Sequence, residues 1–286
     1  MPATDNPLIL VSVEDRGASG RVARVTVNNP DRRNALGMSG KQQLAKTFDR
    51  LAKDSLLRVA ILTGTGDRSF MAGADLAEMK GLTRARARKL FTWTHRACAA
   101  IRALPVPVIA RVNGYCFGAG MELAASCDMR VAVTTAKFGM PEVRFGLPSG
   151  MEACLLPQLI GWGKTRELVY TGDHIDAAEA QRIGFLEKLV EPAMLDTAVE
   201  QWIGSILAAG PRAIRLQKAL VRDWERLPID KAIEAGIRAC TESKRTDEPR
   251  RLMQAFLDRK TRRDRTPTTP PAGAGTPPRA GGDSSS

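Results

Sequence analysis

The sequence predicts an α/β protein rich in parallel strand pairing, followed by an all-helical C-terminal segment. Three observations predict it. Short apolar or alternating runs recur between stretches of helical periodicity as far as Pro192. After Pro192 only helical periodicity remains. From 264 to 286 the chain is dominated by Pro, Thr, Gly, Ala and Ser, which leave almost nothing large to bury. The expected division is therefore an α/β core over 1–192, a helical segment over 193–263 and a disordered tail over 264–286.

In order, residues 22–27 (V-A-R-V-T-V) alternate, and 58–63 (R-V-A-I-L-T) form a short apolar run, so both read as strands. Between them, 34–53 carries Leu44, Phe48 and Leu51 at helical spacing, with Ser39 as the expected cap. Strands follow at 106–112 and 129–133, separated by a helix over 84–104 and a short one opening at Gly118. Past Pro192, helices are expected over 194–208, 211–227, 229–244 and 249–263. Pro211 suits a first helical turn, and Gly210 is read as the residue ending the helix before it. Helices that cannot wrap a core of their own need the α/β body or another subunit to cover them.

Composition narrows the function classes. The 286 residues are 43% hydrophobic, enough for a sizeable core. No run approaches the roughly 20 apolar residues of a membrane-spanning helix, and the N-terminus lacks a basic-then-apolar leader. Cys98, Cys116, Cys127, Cys154 and Cys240 are odd in number, scattered and never in a C-x-x-C pair, which points to reduced thiols, not a disulfide framework or a zinc site. A cytoplasmic protein without a membrane partner is expected. The net charge of +12 suits any polyanion and selects none.

Three segments carry chemistry. Phe70-Met71-Ala72-Gly73-Ala74-Asp75-Leu76 follows a strand with small residues at the opening of a helix, where unpaired N–H groups can hold negative charge. Read alone, it favours an ordinary Gly-rich turn capped by Asp75. Asn113 to Glu122 (N-G-Y-C-F-G-A-G-M-E) repeats the arrangement and adds a carboxylate in the first helical turn. The apolar neighbours Phe117, Met121 and Leu123 predict burial, and a buried acid needs a partner or a task. In Phe138-Gly139-Met140-Pro141-Glu142, the proline holds Glu142 on an irregular backbone. Taken separately, Glu142 could equally cap a following helix.

Together with P-D-R-R-N-A-L at 30–36 and the 168–190 stretch, these segments resemble the crotonase (enoyl-CoA hydratase/isomerase) superfamily across roughly 22–260. The resemblance implies a spiral of ββα units with C-terminal helices that build homotrimers, often paired into hexamers. It implies an acyl-CoA thioester substrate, with coenzyme A as part of that substrate and no metal or separate cofactor. The backbone N–H groups of Ala72 and Ala119 would form an oxyanion hole, and Glu122 and Glu142 would flank the C2–C3 double bond. Glu122 would activate water and Glu142 would protonate C2. Ala119 stands where the family usually has Gly, which keeps the donor provided φ is not positive. Arg32, Arg33, Ala74, Asp75, Leu76, Gly118 and Lys260 are the expected CoA-binding positions, and Met79, Phe117, Met140 and Met151 the expected acyl pocket.

One stretch departs from the family. Gly146-Leu147-Pro148-Ser149-Gly150-Met151-Glu152 replaces the I-P-G-A-G-G-type loop of many hydratases, and it adjoins the expected water and acyl positions. Glu152 reads as a helix-start residue, and His95 and His174 as structural. The expected reaction is hydration of a 2-enoyl-CoA. A Δ3-Δ2-enoyl-CoA isomerase using Glu142 alone, or another acyl-CoA reaction, stands as the alternative within the fold. From a different class, RNA binding would draw on the net charge, but the chain has no RRM, KH or zinc-knuckle signature and nucleic acid is not an expected partner.

Overall fold

The computed structural model describes residues 7–265. The expected tail over 264–286 lies almost wholly outside the described residues.

Two sheets are built by a repeating excursion of the chain. The six-stranded sheet has the order β1 (Ile9–Asp15), β2 (Arg21–Val27), β3 (Leu57–Gly64), β5 (Val108–Val112), β7 (Met129–Val133), β10 (Lys188–Val190). The four-stranded sheet has the order β4 (Ser69–Met71), β6 (Tyr115–Phe117), β8 (Lys137–Gly139), β9 (His174–Asp176). Each of β3, β5 and β7 enters the first sheet and is followed at once by a three-residue strand in the second. Only β1–β2 and β8–β9 pair antiparallel; every other pair is parallel. This is the expected spiral of ββα units. Every residue of β3 is buried, as a parallel strand covered on both faces requires.

Helix α1 (Met38–Leu51) lays Leu44, Phe48 and Leu51 against the core, as their spacing predicts. Its cap is Gly37 and not Ser39. Ser39 lies inside the first turn, where its hydroxyl accepts from Gln43 Nε2 at 3.1 Å. Two helices follow β4, α2 (Leu76–Lys80) and α3 (Arg84–Ala103), and the short α4 (Ala119–Ala125) follows β6. Beyond β8 come α5 (Leu156–Thr171) and α6 (Ala177–Arg182).

The all-helical part comprises α7 (Leu195–Ala208), α8 (Pro211–Trp224), α9 (Ile229–Ser243) and α10 (Glu248–Arg265). Gly210 caps the start of α8, whereas Ala209 closes α7, so the expected roles at this junction shift by one residue. Helix α7 buries Leu195, Val199 and Ile203 in the main core. By contrast, Ile229, Ile233 and Ile237 on α9 and Phe256 on α10 are exposed. Among the described residues no helix is long and apolar enough to cross a membrane.

Candidate active site

The ends of β4, β6 and β8 converge on a cavity of about 850 Å³. Its lining contains Arg32, Arg33, Ala72, Ala74, Asp75, Leu76, Met79, Phe117, Gly118, Ala119, Glu122, Glu142 and Met151, so one cavity gathers nearly all the residues singled out in the sequence. Two expected positions are not brought there. Met140 is fully buried in the core and does not line the cavity, because Pro141 turns the chain and it is Glu142, two residues on, that reaches the opening. Lys260 falls within α10, but its side chain lies outside the described residues.

The first wall is the P-D-R-R-N-A-L turn. Arg33 and Asn34 both adopt left-handed backbone, at φ 52° and 60°, a conformation that stores strain in a non-glycine residue unless its surroundings fix it. The Asn34 side chain supplies that fixation: its Nδ2 donates to Ser69 O at 2.7 Å and its Oδ1 accepts from Asn29 N at 3.0 Å. Arg32 pairs with Asp75 at 2.6 Å, and Asp75 also caps α2 by accepting from Ala77 N at 3.0 Å.

This turn decides which amides are free. The Ala72 N–H donates to Arg33 O at 3.0 Å, so it is committed to the fold and is not free for the oxyanion role that the family resemblance implies for it. Ala74 is different. Leu36 pairs on either side of it, donating to Gly73 O and accepting from Asp75 N, and the Ala74 N–H makes no hydrogen bond among the described residues. Ala119 opens α4, so its N–H has no partner within the helix, and its φ is not positive. Ala74 and Ala119 therefore each offer an unpaired amide on the cavity wall. Close packing joins their segments: a Cβ on Gly120 would stand 2.1 Å from Met71 O.

Both acids open onto the cavity. Glu122, only 2% exposed, accepts from Ala153 N at 3.1 Å through Oε1. Burial, reinforced by the nearby Glu142 charge, pushes its carboxyl up to about 8. Glu142 is half-buried in the 3₁₀ turn Pro141–Phe145. Burial raises its carboxyl too, opposed by the Ser149 hydroxyl, which donates to Oε2 at 2.8 Å. The departing loop thus supplies the partner that holds Glu142. Its Met151 adopts left-handed backbone, at φ 43°.

Glu152 does sit in the first turn of a 3₁₀ helix, Met151–Leu155, but inside the protein. Its Oε1 meets His95 Nδ1 at 2.7 Å, and its buried Oε2 has no hydrogen-bond partner among the described residues. His174 opens β9 and stacks on Phe117 with ring centroids 4.2 Å apart, on the cavity wall. Five lining residues escape the sequence reading: Lys41, Ala77, Phe91, Arg144 and Phe145. The signal for Lys41 was available: it lies three residues before Leu44, on the stripe that α1 buries.

Known proteins share this architecture. The enoyl-CoA hydratase/isomerase family model matches residues 17–263. A short-chain-enoyl-CoA hydratase of Clostridium acetobutylicum is 35% identical over 242 residues, spanning 84% of this chain and 93% of that protein. A crotonyl-CoA hydratase of Syntrophomonas wolfei is 37% identical over 241 residues, with the same coverage of 84% and 93%. Among solved structures, an enoyl-CoA hydratase from Mycobacterium smegmatis superposes with a TM-score of 0.84 at 30% identity, covering 89% of this chain and 97% of that one. The family match runs from ahead of β2 into α10, and the chain belongs to the enoyl-CoA hydratase/isomerase family.

Proposed function

We propose that this protein is an enoyl-CoA hydratase, adding water across the 2,3 double bond of a 2-enoyl-CoA thioester. The observation that carries the reading is the opening of two carboxyls, Glu122 and Glu142, onto the same cavity as two unpaired backbone amides. The Ala74 and Ala119 N–H groups take the thioester oxygen as C3 is attacked and enolate charge builds there; such donors act where charge develops and need no reorganisation. Water adds its oxygen to C3 and gives its proton to one carboxylate, while the other carboxyl delivers its proton to C2. The pair begins and ends with one proton, having exchanged its holder, and titrates as a unit.

Water activation by Glu122 and protonation of C2 by Glu142 is the division implied by the family resemblance. The deeper burial of Glu122 favours it as the holder of the proton in the empty cavity, so that division requires the proton to cross to Glu142 when substrate binds. These steps need no metal or redox cofactor. Arg32 and Arg33 at the cavity lining suit the phosphates of coenzyme A. The exposed isoleucines of α9 support self-association as a homotrimer or a pair of trimers.

The test follows the enoyl-thioester absorbance of crotonyl-CoA with wild type, Glu122→Gln and Glu142→Gln. Hydration by wild type and its loss in both variants supports the two-acid reading. Inertness toward crotonyl-CoA, with migration of a 3-enoyl-CoA double bond dependent on Glu142 alone, would replace it with an isomerase.

A further inference from the structure

Helix α1 carries a lysine where its own periodicity demands a hydrophobe. Lys41, Leu44, Ala45 and Phe48 follow at helical spacing along one buried stripe. Lys41 is 3% exposed and lines the same cavity as Glu122 and Glu142. Its ammonium reaches a single acceptor, Thr94 Oγ1, at 2.8 Å. The Thr94 hydroxyl in turn donates to Leu90 O at 3.1 Å. An ammonium has three donors, so two find no acceptor among the described residues, and no described carboxylate forms an ion pair with it.

A buried cation left so poorly matched is destabilising, and an apolar side chain on this stripe would avoid the cost. The arrangement makes physical sense when something entering the cavity completes the ammonium's coordination. The lining includes the apolar Met79, Phe91, Phe117 and Met151, and its arginines, Arg32, Arg33 and Arg144, are all exposed, so Lys41 is the buried cation on this wall. The charges of Glu122 and, less strongly, Glu78 act on Lys41, yet neither carboxylate forms an ion pair with it.

We propose that Lys41 is a specificity residue, selecting thioesters whose acyl chain carries a carboxylate beyond C3, which the Lys41 ammonium receives inside the cavity. The proposal deepens the hydratase reading and rests on it for the placement of the acyl chain. A lysine that served only Glu122, or only the fold, would affect charged and uncharged acyl groups alike.

The experiment uses the full-length protein and two saturated thioesters that cannot be hydrated, glutaryl-CoA and valeryl-CoA, with binding measured by calorimetry. Wild type is expected to bind glutaryl-CoA at least about tenfold tighter, the scale of one charge-assisted hydrogen bond. Lys41→Met is expected to abolish that preference while leaving valeryl-CoA unchanged or tighter, and Lys41→Arg to retain it. Hydration of glutaconyl-CoA and crotonyl-CoA by the same proteins should follow, as a matching change in kcat/KM ratio. Equal wild-type affinity for the two saturated thioesters, or a parallel loss of both in Lys41→Met, overturns the proposal. A Lys41-dependent preference in a protein that hydrates neither enoyl thioester would overturn the hydratase reading and leave the specificity assignment standing.

Discussion

The Glu142 carboxylate lies against Gly118 so closely that a Cβ on that glycine would stand 2.4 Å from Oε1. Gly118 also has a φ of 52° and caps α4, whose first amide belongs to Ala119. One residue without a side chain therefore serves both halves of the site, leaving room for an acid and setting the start of the helix that offers the amide. Gly118→Ala is expected to displace Glu142 and strain the cap together. Misplacing a reacting group by about 1 Å can cost on the order of 100-fold in rate, whereas an alanine forced to φ 52° and ψ −122°, outside the left-handed helical region, costs on the order of 1–3 kcal/mol. Crotonyl-CoA hydration should fall about 100-fold while the melting temperature drops by only a few degrees; unchanged kcat would show that Glu142 does not need this contact.

Glu122 works at the expense of stability. Its carboxyl is raised from an ordinary 4.5 to about 8 in the folded protein, by burial first and by the Glu142 charge second. Between those values the unfolded chain has released a proton that the folded chain still holds, so this group's contribution to stability falls as pH rises from about 4.5 to about 8 and is level above. Glu122→Gln keeps an oxygen for the Ala153 N–H and removes the titration. The variant should be inactive yet more stable than wild type, by on the order of 3 kcal/mol above pH 8 and by little near pH 4.5. Denaturant unfolding at pH 5, 7 and 9 measures the gap, and a gap that does not widen with pH would mean that Glu122 is not held protonated by the fold.

Much of this was legible in the sequence, for identifiable reasons. The long elements announce themselves by periodicity: Leu44, Phe48 and Leu51 mark α1, and the apolar run ending at Thr63 marks β3. Strands β4, β6, β8 and β9 are three residues each and too short for any period, although they aim the site. Strand β1 went unread despite its seven residues, because its hydrophobic start passes into Ser12, Glu14 and Asp15 on a largely exposed edge. Glu122 and Glu142 were found by their motifs. A sequence does not reveal that the Arg33 carbonyl consumes the Ala72 amide and leaves that of Ala74 free, and a core methionine such as Met140 looks the same in one dimension as a pocket methionine.

The apolar row on α9 makes self-association testable without touching the site. Ile229, Ile233 and Ile237 are 81%, 61% and 64% exposed, at a spacing of four residues along one side of the helix. Ile233→Asp should convert the assembly to monomers by sedimentation, since an unpaired carboxylate in an apolar interface costs several kcal/mol. Wild type that sediments as a monomer would refute the proposed trimer outright.

Ala72 and Ala74 differ only in what their amides do, so an experiment that edits single amides separates them. Replacing either residue with lactic acid turns its N–H into an ester oxygen and leaves the side chain unchanged. At Ala72 the change removes the bond to Arg33 O, which has a length of 3.0 Å, and so acts on the turn. Stability should fall by about 1 kcal/mol with a small effect on kcat. At Ala74 no donated hydrogen bond within the described residues is lost, and the Gly73 carbonyl, which accepts from Leu36 N at 3.1 Å, only becomes a weaker ester acceptor. Stability should therefore fall by less than at Ala72, but one donor to the thioester oxygen disappears. Losing an oxyanion donor costs on the order of 100- to 1,000-fold in kcat. Melting curves and crotonyl-CoA turnover on both proteins decide the matter: a large kcat loss at Ala72 with none at Ala74 would return the oxyanion role to Ala72, and would require the bond to Arg33 to break when substrate enters.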